Sequence, residues 1–311
     1  RAGRRLVRCW QEPAGLDPAA LRPWKEGGVY LIAGGAGGLG RHLAEEIARH
    51  ARQAELWLTG RSSLSPQLDA WLQSLPGRVR YRRVDVTDGQ AVTALVAEIL
   101  RESGGLNGVV HAAGITRDSL LVRKPVEDLR AVLAPKVAGA LNLDAATAGL
   151  PLDFLLLFAS AAGALGNPGQ ADYGAANAFL DAFAEARNGR VARGERRGRT
   201  LAVDWPYWRD GGMQLPAESV AAMERGAGLR PLETAPALRA LAVALALPDP
   251  HQVLILEGEH DRLRAAMAPA EAGRPAPRAE AAPEPAPEPA PEPALRERVA
   301  CCLTAAFSDV L

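Results

Sequence analysis

A run of small residues, Ala33-Gly34-Gly35-Ala36-Gly37-Gly38-Leu39-Gly40, follows an apolar β-type segment directly and opens a helical pattern. Gly35, Gly37 and Gly40 fall on a G-x-G-x-x-G spacing. Glycines there permit a tight turn and let bare backbone approach a pyrophosphate. The helix that follows turns its free N–H groups and positive dipole end toward the phosphates. In this strand–turn–helix context the chemistry is dinucleotide binding. The next β-type segment ends Leu58-Thr59-Gly60-Arg61-Ser62, without the carboxylate that receives the ribose 2′-hydroxyl in NAD binders. Arg61 offers a 2′-phosphate a bidentate partner and Ser62 a further hydrogen bond, which favours NADPH over NAD. Asp85-Val86, just past the third such segment, is suited to accept from the adenine amino group. His111-Ala112-Ala113-Gly114 closes the fourth with small residues against which a nicotinamide ribose can lie; His111 itself reads as a core histidine without a catalytic part.

Phe158-Ala159-Ser160 ends the fifth segment, where the carboxyl ends of parallel strands face the ligand crevice. Thirteen residues on comes Tyr173, and Asn177 follows four later, so both lie on one helix face. Lys136 sits on the preceding helical pattern and is one of three lysines beside 33 arginines.

The elements that must position these residues alternate regularly. Short apolar runs at Val29–Ala33, Glu55–Thr59, Val79–Val84, Gly108–His111, Phe154–Ala159, Leu201–Val203 and Gln252–Leu256 read as strands. Helical patterns near 39–50, 66–74, 89–102, 127–148 and 170–187 separate them. Strands buried on both faces and joined by helices make an α/β fold, a Rossmann-type doubly wound parallel sheet flanked by helices. Residues 205–230, beginning Trp205-Pro206-Tyr207-Trp208, interrupt the rhythm after a strand's C-terminal end and read as a lid insertion.

Residues 1–26 form a lead-in and 27–258 the nucleotide-binding unit. Residues 259–294 form a Pro/Ala/Glu-rich linker, with Ala-Pro-Glu-Pro repeats that forbid helix and sheet pairing. Residues 295–311 (LRERVACCLTAAFSDVL) resume an amphipathic helical pattern, which predicts the start of a further domain and so a piece of a multidomain chain. Over 311 residues, 36 basic side chains balance 36 acidic ones, which gives no electrostatic case for nucleic acid or an anionic membrane surface. No apolar run approaches the ~20 residues needed to span a bilayer. Cys9, Cys301 and Cys302 fit neither a disulfide framework nor a metal site and read as reduced thiols of a cytoplasmic protein.

Taken together, AGGAGGLG, LTGRSS, VDVTD, HAAGITRDSL, PKVAGALNL, FASAAGALGNPGQADYGAANAFLDAFA and VDWPYW resemble the short-chain dehydrogenase/reductase superfamily. They are most similar to the ketoreductase domains of modular polyketide synthases, over about residues 27–258. Most superfamily members place the lysine four residues after the tyrosine; here Asn177 stands there and Lys136 takes the asparagine's place, an exchange typical of synthase ketoreductases. Ala33 departs from the threonine often found before the double glycine.

The resemblance implies that Tyr173 protonates the developing alkoxide as hydride arrives, that Ser160 hydrogen-bonds the substrate carbonyl, and that Lys136 stabilises phenolate and aids proton relay. Asn177 would orient Lys136, directly or through water. Of the Leu-Asp-Asp stretch that marks B-type members, Thr116-Arg117-Asp118 keeps only Asp118; Leu165 stands where A-type members carry Trp. That pattern implies a B-type enzyme and a D-hydroxyl product. The lead-in would be the end of a structural subdomain and the tail the first helix of an acyl carrier protein. The substrate is then a β-ketoacyl chain on carrier-protein phosphopantetheine, passed among other domains of one synthase. A catalytically inactive structural domain and a free-standing ketone reductase are the competing readings, opposed by the intact residues and by the linker and tail. A serine-hydrolase reading fails, since Ser160 lacks nucleophile-elbow glycines and an evident histidine partner.

Overall fold

The computed structural model describes residues 9–13 and 17–268. The seven expected segments form β1 (Val29–Ala33), β2 (Glu55–Gly60), β3 (Arg78–Arg83), β4 (Gly108–His111), β5 (Phe154–Ser160), β6 (Arg199–Trp205) and β7 (Gln252–Leu254). They make one parallel sheet in the order β3-β2-β1-β4-β5-β6-β7. The helices are α1 (Gly38–His50), α2 (Pro66–Ser74), α3 (Gly89–Ser103), α4 (Val126–Ala146), α5 (Ala161–Leu165), α6 (Ala171–Ala192), α7 (Ala217–Ala227), α8 (Thr234–Ala246) and α9 (His260–Met267). This is the Rossmann-type doubly wound sheet expected. The chain winds outward from β1 to β3, then crosses back to place β4 on β1's other side, which opens a crevice at the strands' carboxyl ends.

Period-two alternation along each strand fills two cores. Tyr30, Ile32, Leu56 and Leu58 face α1, α2 and α8, packing on Leu43, Ile47, Leu72 and Leu241. Leu31, Ala33, Trp57, Leu155 and Leu157 face α3, α4 and α6, packing on Val92, Leu95, Leu143 and Leu180. Burying each such side chain contributes roughly 1.5–3 kcal/mol, so the sheet is a rigid platform for what its loops carry.

A buried ion pair joins the second layer. Arg187 of α6 donates through Nε to Asp144 of α4 at 2.7 Å, and its other nitrogens reach the carbonyls of Arg197 and Gly198 and the Thr200 hydroxyl. Removing one partner would strand a charge, so Asp144→Ala is expected to cost about 3–5 kcal/mol. Urea unfolding checks this, and an unchanged midpoint would show the pair to be dispensable.

Among its described residues the lead-in forms a 3₁₀ turn at Pro18–Ala20. Trp24 anchors it edge-on against Tyr30 and Phe154. The linker assigned to 259–294 begins as α9, whose Arg264 reaches back to Glu12 at 3.0 Å. The rest of that linker and the carrier-like stretch 295–311 lie outside the described residues. Among the described residues no helix is long and apolar enough to cross a membrane.

Candidate active site

The glycine-rich loop leaves β1 and enters α1 with Gly37 as its N-cap, no side chain blocking the helix's first N–H groups. Gly34 adopts φ +81°, and a Cβ there would lie 2.7 Å from the Ala113 nitrogen. A Cβ on Gly38 would overlap the Gly211 carbonyl oxygen and lie 2.7 Å from the Gly212 nitrogen. The loop is thus pressed between β4's exit and the segment after β6, with no room for a side chain at either glycine.

From it a groove runs in two directions. One arm is lined by Gly34, Gly37, Gly60, Arg61, Ser62, Asp85, Val86, Ala112, Ala113 and Gly114. All ten were read as cofactor-binding; of the others so read, Gly38, Leu39 and Gly40 line the second arm, and Gly35 and His111 line neither. Gly35 packs its backbone against Ile32 and Leu58 instead. His111 is fully buried, and burial together with the nearby Lys136 charge holds its pKa at about 3, so it is a neutral core side chain. The other arm, of about 310 Å³, contains Gly37, Gly38, Leu39, Gly40, Lys136, Tyr173, Gly211, Gly212 and Met213.

Tyr173 also lines a third, adjoining pocket with Ser160, Leu165, Gln170, Trp208, Met213, Leu215 and Met223. The phenol therefore stands where a glycine-walled groove meets an apolar chamber. Ser160 ends β5 and caps α5, its Oγ accepting from the Ala162 nitrogen at 3.2 Å. Burial pushes the Tyr173 phenol above its ordinary pKa, while hydrogen bonds with the Ser160 and Asn177 side chains oppose the rise.

Lys136 is buried in α4, beside the glycine loop's far wall. Its Nζ donates to the Phe158 carbonyl at 2.8 Å and lies 5.9 Å from the Tyr173 ring centroid. Burial lowers its pKa to about 8, against the pull of Asp181 and Asp204. Asn177 donates to the Tyr173 carbonyl at 2.6 Å; its buried Oδ1 has no hydrogen-bond partner, a seat suited to a water. Asp118 accepts from Gln170 Nε2 at 2.9 Å.

Sequence reasoning missed Tyr81, whose hydroxyl donates to the Ser62 carbonyl at 2.7 Å, and Arg83, whose Nε donates to the Arg61 carbonyl at 2.9 Å. Alternation along β3 was the available signal, but its run of arginines masked it. It also missed Gly211 and Gly212, which nothing in their spacing marks as partners of the glycine loop.

A Rossmann sheet on which a serine, a tyrosine and a lysine converge beside a glycine loop defines an oxidoreductase of the short-chain dehydrogenase/reductase type. A family model described as the KR domain matches residues 28–210, and the chain belongs to that family, the ketoreductase domains of polyketide synthases. It is 46% identical over 267 residues to polyketide synthase PksL of Bacillus subtilis, covering 85% of this chain and 6% of PksL. Polyketide synthase ThaG of Burkholderia thailandensis is 44% identical over 265 residues, covering 85% of this chain and 5% of ThaG. A crystal structure of a ketoreductase domain from the bacillaene assembly line superposes with a TM-score of 0.81 at 41% identity, covering 86% of this chain and 64% of that one. The chain thus spans only a small part of these synthases. Members of its family bind nicotinamide cofactors.

Proposed function

We propose that this chain reduces a β-ketoacyl thioester, held on the phosphopantetheine of an acyl carrier protein, to the β-hydroxyacyl thioester at the expense of NADPH. The observation that supports it best is the meeting of Ser160 and Tyr173 at the junction of the glycine-walled groove and the apolar chamber. The groove fits a dinucleotide: Gly34 and Gly37 present bare backbone along both of its arms, and Arg61 lines the far one. When bound, NADPH supplies a hydride from C4 of its nicotinamide to the carbonyl carbon. Ser160 donates a hydrogen bond to the carbonyl oxygen and holds it at Tyr173, which gives that oxygen its proton. Lys136 stabilises the resulting phenolate and, with Asn177 and a water at its Oδ1, returns the proton. Asp118 and Leu165 at the chamber side favour the B-type approach and a D-hydroxyl. Residues 27–258 would form the catalytic unit. The Pro-rich stretch would tether the carrier, raising its effective concentration to the millimolar range, and other domains of the synthase would supply and take the acyl chain.

The test is NADPH oxidation with a β-ketoacyl-pantetheine thioester, the product resolved by chiral chromatography. One D-alcohol is expected; absence of turnover would sink the reading. A separate expectation concerns the 2′-phosphate. A hydrogen bond to a charged group is worth about 1.5–3 kcal/mol, so Arg61→Ala should raise the KM for NADPH by roughly tenfold to a hundredfold while leaving that for NADH unchanged. Equal effects on both cofactors would place the 2′-phosphate elsewhere.

A further inference from the structure

We propose that Lys124 and Asp172 form a buried ionic clamp that fixes the loop between β4 and α4 onto the first turn of α6, and that this clamp positions Tyr173 and Asp118 so that substrate enters in one orientation. The proposal rests on the ketoreductase reading above and adds two positioning residues to it.

Lys124 Nζ lies 2.7 Å from Asp172 Oδ2, with the two side chains 0% and 1% exposed. Both ends of the pair do more than meet. The ammonium also donates to the Arg117 carbonyl, next to Asp118. The second carboxylate oxygen, Asp172 Oδ1, accepts from the Tyr173 nitrogen at 2.9 Å. Two further stitches run alongside: Gln170 Nε2 to Asp118 Oδ2 at 2.9 Å, and the Ser119 nitrogen to the Gly169 carbonyl at 2.8 Å. One charge pair thus reaches the backbone of the proton donor on one side and of the stereocontrol loop on the other.

Apolar packing holds this loop only at Leu121, which sits partly buried against the cluster of Leu129, Leu133, Val137 and Ala176. Leu120 and Val122 on either side of it are 57% and 67% exposed. Polar stitches must therefore fix the stretch around Asp118 and Lys124. The residue type is also telling in a chain that uses arginine for 33 of its 36 cations. A slim stem ending in a point charge fits a closed site that a planar guanidinium would split open. A buried ion pair adds little net stability over an apolar pair of the same volume, so its value lies in fixing one arrangement among several.

The experiment compares wild type, Lys124→Met and the double variant Lys124→Met/Asp172→Asn. The double variant leaves no stranded charge and keeps an oxygen to accept from the Tyr173 nitrogen. The readouts are kcat and KM with the β-ketoacyl thioester, configuration of the alcohol, unfolding midpoint, and amide hydrogen exchange. Misplacing a reacting group by about an ångström costs up to ~10²-fold, so Lys124→Met should lose roughly tenfold or more in kcat. Its KM for NADPH should stay unchanged, its product become a mixture of both configurations, and exchange quicken in residues 115–124 and 169–175. The double variant should regain much of the unfolding midpoint yet still give mixed product. A single alcohol at wild-type kcat from both variants would overturn the clamp, as would a lowered midpoint with unaltered configuration. Should wild type itself fail to turn over the thioester, the ketoreductase reading falls, and exchange still decides the clamp: unaltered rates in those two segments refute it, and quickening confined to them supports it.

Discussion

Tyr173→Phe should lower kcat for thioester reduction by at least ~10²-fold, the scale for removing a positioned proton donor, with the KM for NADPH essentially unchanged. The substitution removes a single oxygen. The ring keeps its place between the groove and the apolar chamber, and the backbone bonds of the first turn of α6, including the one to Asp172, are untouched. What goes is the hydroxyl that bonds the Ser160 and Asn177 side chains. Loss confined to kcat in single-turnover measurements would mark the phenol as acting in the chemical step. Turnover close to wild type would remove Tyr173 from the mechanism.

Gly38→Ala should weaken NADPH binding by roughly tenfold to a hundredfold. The added methyl would overlap the Gly211 carbonyl oxygen and crowd the Gly212 nitrogen, and both are backbone atoms that cannot swing aside. His42 adds to the constraint, since its Nε2 bonds the Asp210 carbonyl at 2.9 Å and its ring stacks on Trp208. Relief requires the glycine loop or the segment after β6 to shift. The backbone N–H groups that would hold the phosphates would then be misplaced, each hydrogen bond to a charged group being worth about 1.5–3 kcal/mol. Fluorescence titration with NADPH measures the loss. Wild-type affinity would show that the two segments part freely.

Much of this architecture can be read from residue order, and the exceptions share a cause. Val29–Ala33 and the stretch 154–159 are apolar throughout because both faces are covered, so their strands stand out. Tyr173 and Asn177 share a helix face by spacing alone. The helix α8 does not stand out: Thr234–Ala246 carries Pro236 and, apart from Arg239, no charged residue, so no polar stripe marks its outer side. The Lys124–Asp172 pair is hidden for a different reason. Its partners are 48 residues apart, and a lone lysine in a loop reads as a solvated charge until the fold closes over it. The order of the described lead-in residues likewise depends on contacts made far along the chain, Glu12 with Arg264 and Trp24 with Phe154. Local pattern reveals what neighbours in sequence decide, and these features depend on neighbours in space.

The arginine-rich β3 has a consequence beyond the site. It and β7 are the outermost strands of the sheet among the described residues, each with one flank open to recruitment by a foreign strand. β3 reads RVRYRR, and Arg80 and Arg82 lie over the Trp57 ring at 4.7 and 5.1 Å while also pairing with Glu55 and Glu98. The stacked guanidinium groups bury their apolar faces and, paired with carboxylates, leave a band of charged side chains along that margin. β7 contributes only three residues, too few to template another chain. A sheet bordered in this way would resist edge-to-edge aggregation while leaving the carboxyl ends of its central strands free for the crevice.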